Sequence, residues 1–283
     1  MADRSIPLHQ LPAESQLPTR VERVLPAPGP VMNDVHRHDF HEVFLFRSGT
    51  GTHMIDLLDL AIAAPSIHLV GPGQVHRLDR SADMEGLVVM FSGHVLPDRA
   101  RAALTELFMR SHSAASFPLR PEEMDEACLL VEQIERELAR GAAALTAVVE
   151  SFLGILLLKC AQWSRANGHA DAVVLEEHDP VRRFLELLEQ HYLDERQVAS
   201  YAERLRMTPD HLNALVKERL GRTASHVVQD RLLLEAKRLL VHGDRSIKEI
   251  AFALNMNDPA YFTRWFGKME GLSPARFRDS YKP

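Results

Sequence analysis

Between Ala202 and Gly271 the chain repeats one apolar pattern. Ala202, Leu205, Met207, Leu212, Leu215, Val216 and Gly221 recur as Ala251, Leu254, Met256, Phe262, Trp265, Phe266 and Gly271. The offset is 49 residues up to Met207 and Met256 and 50 from Leu212 and Phe262 onward, so the second copy carries one extra residue in its turn. Self-similarity on this scale marks one supersecondary unit used twice. In each copy a short apolar stretch, a tight turn and a second helix-periodic stretch describe a helix-turn-helix. The second helix of such a unit is shaped to lie in the major groove of duplex DNA.

In the first unit, Thr208-Pro209 predicts an N-cap followed by proline at the first helical position. Leu212, Leu215 and Val216 then take the buried side, which turns Asp210, His211, Asn213, Ala214 and Lys217 outward. A long helix over 223–241 follows and acts as a rigid spacer. Recognition helices about 34 Å apart enter successive major grooves on one face of the duplex. In the second unit Pro259 and Ala260 open the recognition helix, and the spacing of Phe262, Trp265 and Phe266 marks core packing rather than base stacking. Thr263, Arg264 and Lys268 face outward. Arg264 has two roles open to it, a bidentate bond to a guanine edge or a clamp on a phosphate.

Charge is distributed unevenly. The whole chain of 283 residues carries a net charge of −6, yet residues 178–283 hold 18 basic and 15 acidic side chains while residues 1–177 hold 15 and 24. Such asymmetry suits a nucleic-acid-facing module joined to a different one. The two cysteines, Cys128 and Cys160, lie in apolar helical stretches with no metal-ligand spacing and no disulfide framework, which predicts two buried thiols in a reducing compartment. The N-terminus lacks the apolar segment of a signal peptide, and the longest apolar run, 152–158, is too short to span a bilayer. A soluble, intracellular, cytoplasmic protein with no membrane partner is expected.

Residues 1–30 are proline-rich and aperiodic. From 36 to 91 short strand-like runs appear at 43–46, 53–57, 66–70 and 86–91, punctuated by Ser48-Gly49-Thr50-Gly51 and Gly71-Pro72-Gly73, the texture of an antiparallel barrel or sandwich. Helical periodicity then takes over at 99–110, at 121–140 with Gly141 placed to end it, and at 142–163. The last of these is apolar around most of its circumference and must be buried in its own domain or against a partner chain. Residues 166–179 are polar and aperiodic and read as a linker.

The stretch IKEIAFALNMNDPAYFTRWFGKMEGLSPARFR resembles the signature of the AraC/XylS family of bacterial transcription regulators, and MTPDHLNALVKERLGRTASHVVQDRLLLEAKRLL resembles that family's first unit and connecting helix. The likeness covers about 100 residues. Asn255 stands where the family usually has glycine, and asparagine tolerates the positive φ such a turn needs. Ala214 stands where many relatives present a longer polar side chain, which shifts base reading toward Asn213, His211 and the second unit. The resemblance implies a regulator, not an enzyme. Its partners would be double-stranded promoter DNA, a small organic effector and RNA polymerase, and it would act as a homodimer, with activation or repression left open.

His36, His38, Glu42 and Gly49 form H-x-H-x3-E-x6-G, which resembles the first cupin motif, with Gly71-Pro72-Gly73-Gln74-Val75-His76 as its partner. On one extended strand His36, His38 and Glu42 would share a face. The second motif departs from the metal-binding pattern at Gly71 and Arg80. By resemblance to sensor domains of this regulator family, the expectation is no metal and no cofactor. Effector contacts would come from His36, Arg37, His38, Glu42, His76 and Arg77, with His36, His38, Glu42 and His76 as the alternative metal set.

The expected fold is therefore α+β. It comprises a cupin-like effector-binding barrel (1–96), a helical dimerisation or packing segment (97–165), a linker (166–179), and an all-α DNA-binding domain (180–283) whose helix-turn-helix units span about 198–220 and 247–270. The competing readings are a cupin metalloenzyme with a helical appendage and an effector-independent regulator.

Overall fold

A continuous apolar run, Val43-Phe44-Leu45-Phe46, makes the central strand of the N-terminal half, with a hydrophobic core against each of its faces. The computed structural model describes residues 6–11, 19–93, 96, 98–108, 115–140, 146–168 and 179–281. The chain divides into two units, Pro7–Glu177 and His178–Pro283 with Met1–Ile6. The described elements of the first are, in order, β1 (Leu8–His9), β2 (Thr19–Val24), β3 (Val31–Met32), β4 (Arg37–His38), β5 (His41–Ser48), β6 (Thr50–Ile55), β7 (Leu58–Ala63), β8 (Ser66–Val70), β9 (His76–Arg80), β10 (Glu85–Phe91), α1 (Asp98–Phe108), β11 (Ser116–Pro118), α2 (Pro121–Arg140) and α3 (Thr146–Ala166).

A five-stranded sheet runs β11-β8-β5-β10-β2, a four-stranded sheet runs β3-β9-β6-β7, and β1 pairs with β4. Val43 and Leu45 of β5, Ile67 and Leu69 of β8, and Leu87, Val89 and Phe91 of β10 share a core with α1, α2 and α3. Phe44 and Phe46 point the other way and meet Ile55, Ile62 and Leu78 of the four-stranded sheet. Strands covered on both faces become continuous apolar runs, which is why β5, β8 and β10 stand out in the sequence. Strand β7, with burial confined to alternate positions, does not.

The structure corrects several expected boundaries. The run at 53–57 ends at Ile55, because Asp56 turns the chain with φ of 56°. The stretch from His36 to Glu42 is not one strand: β4 and β5 are separated by a bend at Asp39 and Phe40. Helix α1 begins one residue earlier than expected, while residues 109–110, Gly141 and residues 169–178 of the expected linker lie outside the described residues.

Helix α3 buries Val149, Leu153, Leu156, Leu157, Cys160 and Ala161 along one stripe and exposes Val148, Ile155 and Leu158 on the other. It extends well beyond the apolar run at 152–158, and by length and composition alone Ala147–Ala166 is long and apolar enough to cross a membrane, although half of it is buried inside the protein. Cys128 and Cys160 are both free and buried, as expected.

The second unit consists of α4 (Pro180–His191), α5 (Val198–Arg204), α6 (Pro209–Leu220), α7 (Ala224–His242), α8 (Ile247–Ala253), α9 (Pro259–Glu270) and α10 (Pro274–Asp279). All its helix starts but that of α5, where Gln197 makes no side-chain cap bond, share one chemistry. Asp179, Thr208, Asp258 and Ser273 each cap a helix whose first residue is proline, and Ser246 forms a full capping box with Glu249. Helix α7, 19 residues and so about 28 Å long, connects the two repeats. The Arg231–Glu189 ion pair fastens it to α4, beside an Arg238–Glu235 pair within α7 itself. Arg231 donates to both Glu189 oxygens at 2.9 Å and lies 3.7 Å over the Tyr192 ring, while Arg238 donates to Glu235 at 3.2 Å.

Candidate nucleic-acid interface and a buried histidine cluster

The two repeats reproduce each other bond for bond. In the first, the Met207 amide donates to Ala202 O and the Leu205 amide to Tyr201 O; in the second, Met256 donates to Ala251 O and Leu254 to Ile250 O. Each turn contains one non-glycine residue in the left-handed region, Arg206 at φ 57° and Asn255 at φ 54°. The expectation that Asn255 sustains its turn is met, whereas Arg206 in the equivalent place carries no sequence signal for that conformation. The extra residue of the second copy is Asn257, just before the Asp258 cap. Both recognition helices end on left-handed glycines, Gly221 at φ 70° and Gly271 at φ 79°.

These geometries set which side chains reach solvent. On α6, Asp210, His211, Ala214 and Lys217 are exposed. Asn213 is half-buried and its Oδ1 is enclosed without a hydrogen-bond partner among the described residues, so it is only partly available to a ligand. On α9, Ala260, Thr263, Arg264 and Lys268 are exposed and Pro259 is half-buried. The Thr263 hydroxyl donates to Pro259 O at 2.9 Å, and Arg264 reaches the Asp258 carboxylate at 3.4 Å, a surface pair held loosely enough to exchange for a phosphate or base. Phe262 and Phe266 are fully buried, and the half-buried Trp265 donates its indole N–H to Gln229 of α7 at 2.6 Å. The aromatic trio is therefore packing, as its spacing predicts. Tyr261, 48 % exposed on the same helix as Arg264, is a further surface side chain that spacing alone does not single out.

The second site lies between the two sheets of the first unit. His38 of β4, Glu42 of β5 and His76 of β9 are all buried, and a ligand atom from each lies within 4.8 Å of the other two. His38 Nε2 is 3.1 Å and His76 Nε2 3.5 Å from Glu42 Oε2. His38 Nδ1 donates to Phe40 O at 2.7 Å, and His76 Nδ1 is 3.1 Å from His53 Nε2. The His53 ring stacks on His68 at 5.4 Å between centroids. Burial pushes His53 and His76 well below the ordinary imidazole range and takes His68 down to about 4, so these rings are neutral at pH 7.

The effector and metal sets read from the sequence are only partly brought together. The bend at 39–40 moves His36 out of line with Glu42. Its backbone pairs with His76, its Nδ1 donates to Asp34 O at 2.9 Å, and its ring lies against His76 rather than among the converging donor atoms. Arg77 alternates with His76 along β9, leaves on the opposite face and pairs with Asp79 at 3.0 Å. Arg37 alternates with the buried His38 in the same way and is half-buried. His53 and His68, which belong to neither motif, are the members that the sequence reading missed. Their inward register on β6 and β8 was the available signal.

A family model described as a helix-turn-helix domain matches residues 201–280. The transcriptional activator RhaS of Escherichia fergusonii is 23% identical over 248 residues, which is 86% of each chain. Among solved structures, ToxT from Vibrio cholerae aligns with 92% of this chain and 97% of its own at 16% identity, with a TM-score of 0.41. The C-terminal domain of AraT from Geobacillus stearothermophilus aligns with 36% of this chain and 84% of its own at 29% identity, with a TM-score of 0.34.

Proposed function

We infer that this chain, whose C-terminal residues form a helix-turn-helix domain of the AraC/XylS type, is a sequence-specific regulator that activates transcription from promoter DNA. The observation that carries the reading is the duplicated turn, with the same bonds and the same left-handed residue in both copies, each presenting a helix of exposed polar side chains. Activation follows the printed function of the RhaS relative, and RNA polymerase is the partner an activator needs. The name of that relative also favours a regulator over an enzyme.

Thr263, Arg264 and Lys268 with Pro259 and Ala260 form the better-equipped contact surface. Asp210, His211, Asn213, Ala214 and Lys217 form a lighter one in which positioning outweighs base reading. The assignment is tested by measuring binding of the full chain to its promoter and to random DNA. Arg264→Ala should lose about 1–3 kcal/mol on the promoter alone if the guanidinium reads a base. Equal loss on both sequences makes it a phosphate contact, and no loss on either removes α9 from the interface.

The first unit is proposed as the effector-binding part, in the cytoplasm, with a cupin-like arrangement of its two sheets. Apolar side chains, among them Phe44, Phe46, Met84 and Met90, fill much of the space between the sheets, so the polar corner at His38, Glu42 and His76 is where a small organic molecule would find partners. Helices α2 and α3 are proposed as the homodimer face, since Leu129, Ile155 and Leu158 stand 59%, 43% and 48% exposed there.

A further inference from the structure

Two exposed side chains at the start of the second recognition helix, Asp258 and Arg264, are paired in a way that has no counterpart in the first. Asp258 caps α9: its Oδ1 accepts from the Ala260 amide at 2.8 Å, while its Oδ2 lies 3.4 Å from Arg264 Nη2. The arginine reaches back six residues because helical side chains lean toward the N-terminus. Fifty residues earlier, at the offset that relates the two copies, the matching pair is Thr208 and Ala214. Thr208 caps α6 through its hydroxyl, and Ser246 and Ser273 cap α8 and α10 in the same way. A helix start therefore needs no carboxylate, since serine and asparagine cap as well as aspartate does. As an ion pair, with its side chains 69% and 59% exposed, the contact adds little to stability. On a surface offered to DNA, a carboxylate also weakens the attraction for phosphates. The acid accompanies the arginine and is missing where alanine takes its place, so neither capping nor charge attraction accounts for it.

We propose that Asp258 is a positioning residue that holds the Arg264 guanidinium for guanine and against phosphate, so that the second unit reads a base through Arg264. The inference rests on the reading of α9 as a DNA-recognition helix. Oδ1 is fixed by a backbone amide, so Oδ2 has a set place at the N-terminal end of α9, the end from which recognition helices touch base edges. Asp258 takes one of the two Nη2 protons. Whichever it takes, one two-donor edge of the guanidinium stays whole for O6 and N7 of guanine. A phosphate approaching the same guanidinium meets the carboxylate as a like charge. It also finds the Ala260 amide, one of the donors that an open helix start offers to anions, already engaged. An arginine held in place loses less freedom when it binds a base. The pair therefore raises selectivity and lowers total affinity.

The test uses the full chain. The parent first selects a duplex site from a randomised library. Affinity is then measured on that site, on the site with each guanine in turn replaced by 7-deazaguanine, and on random-sequence duplex. In the parent, removing N7 from one guanine should weaken binding about tenfold, and Arg264→Ala should abolish that dependence. Asp258→Asn keeps a capping side chain and removes the negative charge. It should bind random duplex about threefold more tightly and reduce the penalty at that guanine to about threefold or less, with an unchanged Tm. Asp258→Ser, a second capping variant, should do the same. A lost cap alone would instead weaken binding to every duplex. The proposal is overturned if no guanine carries the penalty, if Arg264→Ala leaves it in place, or if both Asp258 variants keep it. It is also overturned if both variants bind random duplex no more tightly than the parent. In each of these cases the parent still prefers its selected site, and the reading of the chain as a sequence-specific regulator stands. A parent that selects no site overturns both.

Discussion

Arg206 and Asn255 occupy the same left-handed position in the two turns, yet they are not equivalent residues there. Asn255 converts its conformation into contacts, donating from Nδ2 to Asp194 Oδ1 at 2.8 Å and to Leu193 O at 3.4 Å. Among the described residues the Arg206 side chain gains no such contact, and a non-glycine residue in this region costs about 1–2 kcal/mol. Arg206→Gly should therefore stabilise the chain by about 0.5–1 kcal/mol after the extra freedom of glycine in the unfolded chain is allowed for. Asn255→Ala should destabilise it by about 1–2 kcal/mol, having lost both the bonds and the tolerance of asparagine for the turn. Urea unfolding of the two variants checks both signs, and a destabilised Arg206→Gly would show that the arginine side chain holds the turn. His68 supplies a residue-scale prediction of another kind. Its folded value of about 4 lies below the 6.5 of the free imidazole, so the unfolded chain takes the proton first. Stability is then full above pH 6.5, falls as the pH drops, and levels off below about 4, a loss of about 3 kcal/mol from this group. Between pH 7 and 4.5 the His68→Gln variant should lose about 2 kcal/mol less than the parent, and an identical acid limb would assign it to other groups.

Elements were legible where cap chemistry or two-sided burial wrote them into the sequence. Helix α2 has the bounds expected of it, because Pro121 starts it and Met124, Cys128, Val131 and Ile134 give an unbroken buried stripe. The same cap signature at Asp179-Pro180 and Ser273-Pro274 announces α4 and α10, and in α4 Val181, Phe184, Leu185 and Leu188 add a full helical period. Strands β2 and β9 went unseen because charged residues interrupt them: one face of each is exposed or half-buried, and Thr-Arg-Val-Glu-Arg-Val and His-Arg-Leu-Asp-Arg hide a period of two behind their polarity. The histidine corner was half legible for a related reason. Period-two logic holds only inside one strand, and the bend at Asp39 and Phe40 breaks it between His36 and Glu42. What no local pattern contains is the tie between the repeats. Arg196, in the connection leading into α5, donates to Leu254 O and, at 2.9 Å, to Asn255 O in the opposite turn. Arg196→Ala should release the second turn, costing about 1–2 kcal/mol and speeding hydrogen exchange at the Asn255 and Met256 amides relative to those of α6. Unchanged exchange there would mean that the turn holds itself.

At the scale of the whole chain, the two units divide the physical work. The C-terminal unit leaves Phe252, Tyr261, Leu272 and Tyr281 exposed around the helices that carry its repeats, whereas the N-terminal unit leaves Leu129, Val148, Ile155 and Leu158 exposed together on α2 and α3. Those helices cover one face of the five-stranded sheet, so the stripe containing Val149, Leu153, Leu156 and Cys160 is consumed within the subunit. Val148, Ile155 and Leu158 lie outside that stripe and contribute nothing to the subunit's own core. Burying them between two copies removes apolar area from water at about 25 cal/mol per Å². A dimer would also bring four helix-turn-helix units to one stretch of DNA, and linked sites gain affinity through effective concentration rather than new contacts. If α2 and α3 form the proposed homodimer face, Ile155→Asp with Leu158→Asp should convert a dimeric parent to monomers in sedimentation while leaving Tm within a few degrees, because both side chains are already exposed in the subunit. Affinity for a DNA site with one binding element should be unchanged, and affinity for paired elements should fall at least tenfold. A parent chain that sediments as a monomer, or a charged variant that stays dimeric, would move the interface elsewhere.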